Sequence, residues 1–505
     1  MHSVERRALS GSLVGIIALL LNLVQAILLV PFLLTYWNPM TYGLWMAIAA
    51  AGALIITLDS GHQNYLGNEF TRLWIEDQCK LIVTVKSAVL AAVVVGSIEL
   101  TVGILVSTNK TISHWFGFNN GGSAACIALI TYLAFWALNG SIGGLLVRLY
   151  MPSGLFTWSQ WLGIMSRVAG VVALVFAVAI KSSIAGAMIA QAIAWSLCNL
   201  YVFYDLRQRF PSIYPLWRGG DWLVAFQNFR SSLVLTINGF VEQGTNSGLI
   251  LMISRTLDPV SVALFTTLRT VANFALQGTS VILNPILPDL VRYHIKKDGR
   301  KISGVLLTSW FLCTTLVTMG LLGAILVLAP LYNLWTRHAL PLNALLFAFL
   351  GGAVAFRTWA APMQSYLISI NKLKAQSTMT ALRAICTLSI GFLTVRSLGL
   401  AAAGLGLLLG EIAAGIISLL IVYDELKEIR SYLPVNKIII PLLQIVIMEF
   451  NWIMRAVLNE TCISVLCVSA LIVLLLAWKQ WQDLPLHIRE RLLSSGKRCV
   501  KFITP

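Results

Sequence analysis

Apolar residues fill the chain in long runs that short polar stretches separate. Since a helix needs about 20 mostly apolar residues to cross a bilayer, each run predicts a transmembrane helix. Fourteen runs lie at 11–34, 42–66, 83–107, 124–147, 155–180, 184–204, 233–254, 260–287, 303–328, 341–369, 376–395, 400–422, 438–457 and 461–478. The thirteenth is the weakest, because Pro441, Glu449 and Asn451 interrupt it. The pattern predicts an all-α polytopic membrane protein with about 14 transmembrane helices.

The composition supports a membrane protein. Hydrophobic residues make up 58% of the 505 residues and charged residues only 11%. A soluble domain carries about 45–50% apolar and about 25% charged residues, and its core cannot bury such an apolar excess. A soluble enzyme and a disordered protein are therefore excluded.

The net charge of +16 follows from membrane topology. With the N-terminus inside, most Lys and Arg residues fall in segments that the prediction places in the cytoplasm, while Arg167, Arg269 and Arg357 lie within spans. The positive-inside rule then places both termini in the cytoplasm, so no nucleic-acid partner is expected. The start, MHSVERRALSG, is short and basic, and no small-residue cleavage site follows the first apolar run, so no cleaved signal peptide is expected.

Motifs for chemistry are missing from the sequence. The 8 Cys and 6 His residues form neither a zinc pattern nor a disulfide framework. No loop is long enough for a soluble domain and no GxxxxGK[ST] motif occurs, which excludes ATP hydrolysis within the chain. No metal and no cofactor are expected.

The second half of the chain repeats the first at an offset of about 220 residues. Ser12-Leu13-Val14 matches Ser232-Leu233-Val234, Pro39 matches Pro259, and Arg72 matches Arg292. Six spans per repeat predict two six-helix lobes related by a pseudo-two-fold axis along the membrane normal. The predicted parts are an N-terminal lobe (1–204), a cytoplasmic linker (205–232), a C-terminal lobe (233–424), two additional transmembrane helices (438–478) and a basic cytoplasmic tail (479–505).

Polar side chains follow one face of several predicted helices. The clearest stripe lies on the eighth helix, with Arg269, Asn273, Gln277 and Asn284 at helical spacing. Charged groups at membrane depth are costly, so such a stripe faces a cavity or a partner. Other candidates are Asn22, Gln25, Asp59, Arg167, Asn238, Glu242, Arg357, Gln364 and Glu411. One central, water-filled cavity between the two lobes would account for them all, and its Arg residues would attract an anion.

Purely structural roles remain open for several of these residues. Arg269 and Glu242 could form a buried ion pair that holds two helices together. Asp59 could anchor a turn instead of handling protons. Glu411 could pair with Arg167 or Arg357, or serve as a protonation site.

One segment carries a family resemblance. Within residues 31–64 stand Pro31-Phe32, Tyr42-Gly43-Leu44-Trp45 and Asp59-Ser60-Gly61. These residues resemble the start of the Wzx-type flippases of O-antigen and exopolysaccharide, which belong to the multidrug/oligosaccharidyl-lipid/polysaccharide (MOP) superfamily. The two predicted lobes resemble the same superfamily over residues 1–425. Fourteen spans depart from the commoner twelve and resemble the lipid II flippase branch, whose N-terminal motif is different.

The resemblance implies a flippase of the bacterial cytoplasmic (inner) membrane that does no covalent chemistry and so is not an enzyme. The implied cargo is an undecaprenyl-diphosphate-linked glycan, whose polyprenyl tail stays among the membrane lipids. By the helix-face argument, Arg269, Arg357 and Arg167 would hold the diphosphate. The polar lining would be Asn22, Gln25, Asn238, Asn273, Gln277, Asn284 and Gln364, and Glu242, Asp59 or Glu411 would couple H⁺ or Na⁺. Pathway analogy adds a polysaccharide polymerase and a chain-length regulator as partners.

Two other functions compete with this one. A multidrug or metabolite antiporter of the same superfamily would favour acidic cavity residues, against which the intramembrane Arg residues argue. A membrane-embedded polymerase or ligase would carry a large outer loop, and the longest predicted one, 107–123, is too short.

Overall fold

The structure, a computed structural model, describes residues 2–115, 118, 122–283, 286–370, 372–429, 434–458, 460, 462–484 and 489–490. Within these ranges the regular secondary structure is helical and contains no β-strand. The predicted all-α class is confirmed.

Ten helices form the first part of the described chain. They are α1 (His2–Tyr36), α2 (Pro39–Ile55), α3 (Thr57–Glu76), α4 (Gln78–Thr108), α5 (Lys110–Trp115), α6 (Gly122–Phe135), α7 (Ser141–Val147), α8 (Phe156–Ala179), α9 (Ile184–Arg209) and α10 (Trp222–Thr256). Eight more follow: α11 (Pro259–Leu283), α12 (Leu287–Ile295), α13 (Gly299–Trp335), α14 (Ala344–Ser369), α15 (Leu373–Leu398), α16 (Ala401–Glu428), α17 (Val435–Leu458) and α18 (Ile463–Asp483).

The described helices suffice for a multi-pass membrane protein. Twelve of them are long and apolar enough to cross a bilayer, or up to 13 if the bent pair α2 and α3 forms one span. The predicted seventh span is α10, which has the length to cross, at 35 residues, but is not among them. Asn238, Glu242 and Gln243 dilute its apolar character.

Two of the predicted spans are interrupted. The second consists of α2 and α3, which meet at an angle of 48°. The fourth consists of α6 and α7 joined by a π-helical segment, Trp136–Gly140. A π segment widens one turn and often lies at a functional site. Both breaks fall in unit 1, beside polar side chains described below.

The chain forms two compact units. Unit 1 comprises residues 1–266 and 334–340, and unit 2 comprises residues 267–333 and 341–505. In unit 1, α9 packs against α6 and α8, and in unit 2, α16 packs against α14 and α15. Helix α10 belongs to unit 1 by its contacts with α2 and α3, although the sequence repeat assigns it to the second lobe. The lobe boundaries drawn from the repeat stay a prediction.

Helix starts support the internal repeat. The side chain of Asn38 accepts a hydrogen bond from a backbone N–H in the first turn of α2, and that of Asp258 does the same for α11. Asp77 and Asp298 cap α4 and α13 in the same way. Such caps satisfy N–H groups that have no partner inside the helix.

Helices α17 and α18, the predicted additions to the repeat, join unit 2 through buried groups. Trp452 of α17 is fully buried, and its Nε1–H donates a 3.0 Å hydrogen bond to the carbonyl oxygen of Leu321. Its ring lies 4.7 Å from that of Phe347, centroid to centroid. Asn451 Nδ2 donates a 2.8 Å hydrogen bond to Ser469 Oγ and so links α17 to α18.

We expect Trp452→Ala to destabilise the protein by about 3–5 kcal/mol, because it empties a packed site and leaves the Leu321 carbonyl without its donor. Trp478→Ala, at a position that is 61% exposed on α18, is the matched control and should cost far less. Unfolding by SDS in mixed micelles measures both free energies. Equal losses for the two variants would contradict the assignment of Trp452 as an anchor.

Candidate functional site

Three arginine side chains and one glutamate form a cluster in unit 2. Glu411, near the middle of α16, is buried, with 3% of its surface exposed. Its Oε1 lies 3.1 Å from Arg383 Nε of α15 and 3.8 Å from Arg357 Nη1 of α14. Arg269 of α11 interacts electrostatically with Arg357 and Glu411. We call these four residues the arginine cluster.

The cluster surrounds a small cavity. Arg269, Asn273, Arg357 and Glu411 line it, and its volume is ≈ 30 Å³, which is room for about one water molecule. Glu411 Oε2 is buried without a hydrogen-bond partner among the described residues. With three guanidinium groups around one carboxylate, the site carries a surplus of positive charge and suits an anion.

A glycine on α16 permits the close packing that builds the cluster. A Cβ atom at Gly410 would lie 3.0 Å from the carbonyl oxygen of Arg383 and 2.2 Å from Thr387 Oγ1. No side chain fits there, so Gly410 lets α15 and α16 approach closely. The next residue on α16 is Glu411, and the close approach puts its carboxylate beside the Arg383 guanidinium.

Sequence reasoning found three members of the cluster and missed the fourth. It named Arg269, Arg357 and Glu411. It left out Arg383, which lies near the middle of α15 with a side chain only 15% exposed. Of the partners left open for Glu411, the structure pairs it with Arg357. No polar stripe on α15 had drawn attention to Arg383.

Arg167 belongs to unit 1, whereas Arg269 and Arg357, with which it was grouped, belong to unit 2. It donates a hydrogen bond through Nη1 to Asn22 Oδ1. It lines an apolar groove of ≈ 530 Å³ beside α1 and α8, together with Gln25 and Arg337. Arg167 and Asn22 are both exposed.

A second buried polar cluster lies in unit 1. Asp59 at the start of α3 and Glu99 in α4 are both 0% exposed. The Asp59 backbone N–H donates a 3.2 Å hydrogen bond to Glu99 Oε1, and Gln63 Nε2 donates a 2.7 Å bond to Asp59 Oδ2. The side chains of Ser141 and Trp136 are also directed at the Asp59 carboxylate, whereas Glu99 Oε2 is buried without a partner in the described part of the chain. Sequence reasoning named Asp59 and missed Glu99.

The remaining predicted residues are dispersed. On α10, Asn238 is half-buried, whereas Glu242 is exposed and so is not half of a buried ion pair. Gln277 Oε1 is buried without a partner in the described ranges. Gln364 Nε2 lies 3.5 Å from Ser418 Oγ, at the limit of a hydrogen bond. Asn284 lies outside the described residues.

The fold is shared with two solved membrane transporters. Lipid II flippase MurJ, in an inward closed conformation, aligns over 94% of this chain and 99% of its own with a TM-score of 0.65 and 12% identity. An inward-facing multidrug resistance MATE family transporter of the MOP superfamily aligns over 80% of this chain and 95% of its own, with a TM-score of 0.62 and 12% identity. No protein-family model and no curated protein matches the sequence. At 12% identity, the likeness shows that this chain has the same fold as these two proteins.

We expect Glu411→Ala to destabilise the protein by about 3 kcal/mol, because Arg357 and Arg383 lose their carboxylate inside a membrane-embedded site. Glu428→Ala, at an exposed position of the same helix, is the control and should change stability little. The double variant Arg383→Gln/Glu411→Gln should recover part of the loss, since it removes one charge of each sign. Unfolding by SDS measures the free energy of unfolding of all three variants. A double variant that is less stable than Glu411→Ala would contradict the pairing of Arg383 with Glu411.

Proposed function

We propose that the chain is a Wzx-type flippase of the MOP superfamily. It moves undecaprenyl-diphosphate-linked oligosaccharide across the bacterial inner membrane by alternating access, for surface polysaccharide biosynthesis. The observation that carries this proposal is the arginine cluster, where three guanidinium groups share one carboxylate at mid-helix positions. A membrane-embedded surplus of positive charge is costly unless an anion binds to it.

Diphosphate is the anion that fits this chemistry. A guanidinium group presents a planar fork of N–H donors that matches phosphate oxygens, and several forks together suit a doubly charged group. Arg269 and Arg357 hold the diphosphate in this proposal, and Arg383 joins them. Arg167, in unit 1, stays a candidate contact to the same cargo.

The lipid-linked nature of the cargo rests on the fold and the N-terminal motif. One of the proteins that share this fold is a lipid II flippase, and its alignment covers 94% of this chain. The polysaccharide branch rests on residues 31–64, the segment that resembles Wzx-type flippases.

Two glycines of that motif act in packing. A Cβ atom at Gly43 would lie 1.6 Å from the carbonyl oxygen of Pro259, and one at Gly61 would lie 2.3 Å from the Cα atom of Thr236. Because neither glycine has a side chain, α2 and α3 can pack directly against the backbone of later segments of unit 1. The motif supports the fold-level part of the proposal, and the charged residues support the cargo.

Ion coupling is assigned to carboxylates. Asp59, together with Glu99, is the strongest candidate, because two buried carboxylates without a cation are unfavourable in a membrane and one proton relieves the repulsion. Glu411 and the exposed Glu242 remain the other candidates for H⁺ or Na⁺. A polysaccharide polymerase and a chain-length regulator are the protein partners that the pathway implies.

The carboxylate pair also favours a second function, a MOP-superfamily multidrug or metabolite antiporter. Acidic side chains at membrane depth suit the exchange of protons for a cationic compound. The MATE-type neighbour shares the fold as well. The arginine cluster argues against this alternative, since it repels cations.

Deletion of the gene in its native host tests the proposal. We expect loss of surface polysaccharide and accumulation of glycan-loaded undecaprenyl diphosphate in the cytoplasmic leaflet. Complementation with Arg269→Ala, Arg357→Ala or Arg383→Ala should restore less than about a tenth of the wild-type polysaccharide, since each loses a charge-assisted contact to the cargo. Arg396→Ala, an exposed position of the same α15 helix, is the control and should complement fully.

The alternatives give different results in that experiment. Normal polysaccharide with altered drug sensitivity would point to the antiporter. Single glycan units that accumulate on the periplasmic side would mean that the chain acts after translocation.

The proton role of the carboxylate pair has its own test. In proteoliposomes loaded with the accumulated glycolipid, an imposed proton gradient should accelerate translocation by wild type, and Glu99→Gln should abolish that acceleration because the amide cannot exchange a proton. Glu460→Gln, at an exposed position, serves as the control. Acceleration by a sodium gradient alone would contradict the assignment.

A further inference from the structure

Unit 1 contains a large, partly open cavity, and no residue of the arginine cluster lines it. Its volume is ≈ 520 Å³, within the range of about 300–1,000 Å³ that small-molecule sites occupy. Side chains of α3, α6, α8 and α9 line it, together with the π-helical segment and α7. The π segment and the bent α2–α3 span, both irregular, therefore lie at or beside this cavity.

Aromatic rings form much of its wall. Tyr132, Phe135, Trp136 and Trp195 all line the cavity. The Trp195 ring lies 5.3 Å from the Phe135 ring and 5.9 Å from the Tyr132 ring, centroid to centroid, so these three rings hold one another in place. The Trp136 N–H is directed at the Asp59 carboxylate, so the ring of Trp136, and not its N–H, is what this wall offers to a ligand.

Side-chain amides face the same space. Gln160 of α8 and Asn199 of α9 line the cavity, and neither makes a hydrogen bond within the described residues. An amide offers one acceptor and two donor hydrogens, which is what hydroxyl-rich ligands require. Arg148 is the one charged side chain of the described lining, and its Nη2 already donates a 2.7 Å hydrogen bond to Asn64 Oδ1.

We propose that this cavity binds the glycan of the cargo. Flat aromatic faces next to unengaged amides suit the apolar faces and the hydroxyl groups of a pyranose ring, whereas an organic cation would lack a counter-charge there. The inference rests on the proposed flippase function and adds to it a sugar-binding site in unit 1, separate from the phosphate-binding residues of unit 2. Gln160, Asn199, Trp136 and Trp195 would be its specificity-determining residues.

Gly163 of α8 offers a clean way to block the site. It lines the cavity, and a Cβ atom there would meet nothing within 4 Å. Gly163→Leu therefore fills ligand space without displacing a packed neighbour. Gly323→Leu is the matched control, because Gly323 is also helical, exposed and open within 4 Å, but lies in α13 of unit 2. The variant Gln160→Ala/Asn199→Ala removes both amides and leaves the cavity open.

The test compares two ligands on the full-length protein in nanodiscs. One is bare undecaprenyl diphosphate, and the other is the glycolipid extracted from the deletion strain. Binding is measured by quenching of tryptophan fluorescence and by microscale thermophoresis. Wild type should bind the glycolipid more tightly than the bare lipid. Gly163→Leu and Gln160→Ala/Asn199→Ala should weaken glycolipid binding by at least about tenfold and bare-lipid binding by less than about twofold, because only the glycan loses contacts.

The outcomes separate the two proposals. Equal binding of both ligands by wild type, or equal weakening of both by the variants, would overturn the glycan site and leave the flippase standing. If wild type binds neither ligand, the flippase function fails and the glycan site falls with it. If Gly323→Leu weakened glycolipid binding as much as Gly163→Leu does, the inference would also be overturned, because the effect would not be local to the cavity.

Discussion

The constraint on which the structure depends is that hydrocarbon offers no partner to a charge. A charged side chain within a span must find its counter-charge in the protein or in a ligand, since the cost of leaving it alone is several kcal/mol. Among the described residues of unit 2, Glu411 is shared by Arg357 and Arg383 and lies near Arg269, which leaves a local surplus of positive charge. In the described part of unit 1, Asp59 and Glu99 form a local surplus of the opposite sign. Both surpluses are what a carrier of anions or protons needs and what a purely structural bundle avoids.

Hydropathy predicted most of the fold because the membrane imposes it. A run of about 20 apolar residues has no other stable conformation in a bilayer than a helix, so the spans could be located from the sequence alone. The 48° bend between α2 and α3 and the π-helical segment Trp136–Gly140 could not. Both depend on neighbouring helices, and neither changes the local hydropathy. In helix α10 the polar residues lower the hydropathy, although the segment is still helical and long enough to cross a bilayer.

The site was predicted only where one helix carries several polar residues. Arg269 and Asn273 stand four residues apart on α11, and this spacing revealed a polar face. Arg383 and Glu99 interrupt long apolar stretches without such a stripe, and their partners lie 28 and 40 residues away in sequence. Only tertiary packing brings them together, in one case through the close approach at Gly410. A single intramembrane charge therefore deserves the same weight as a stripe when a sequence is interpreted.

The distribution of charge supports the proposed flippase over the alternative antiporter of organic cations. Asp59 and Glu99 are fully buried and neither lines the large cavity of unit 1, so the pair suits a proton better than a drug-sized cation. The large cavity of unit 1 has aromatic rings and amides but no acidic group in its described lining. The arginine cluster repels cations. A cargo that combines a diphosphate with a neutral, hydroxyl-rich part matches both the arginine cluster and the cavity, whereas a cationic amphiphile matches neither.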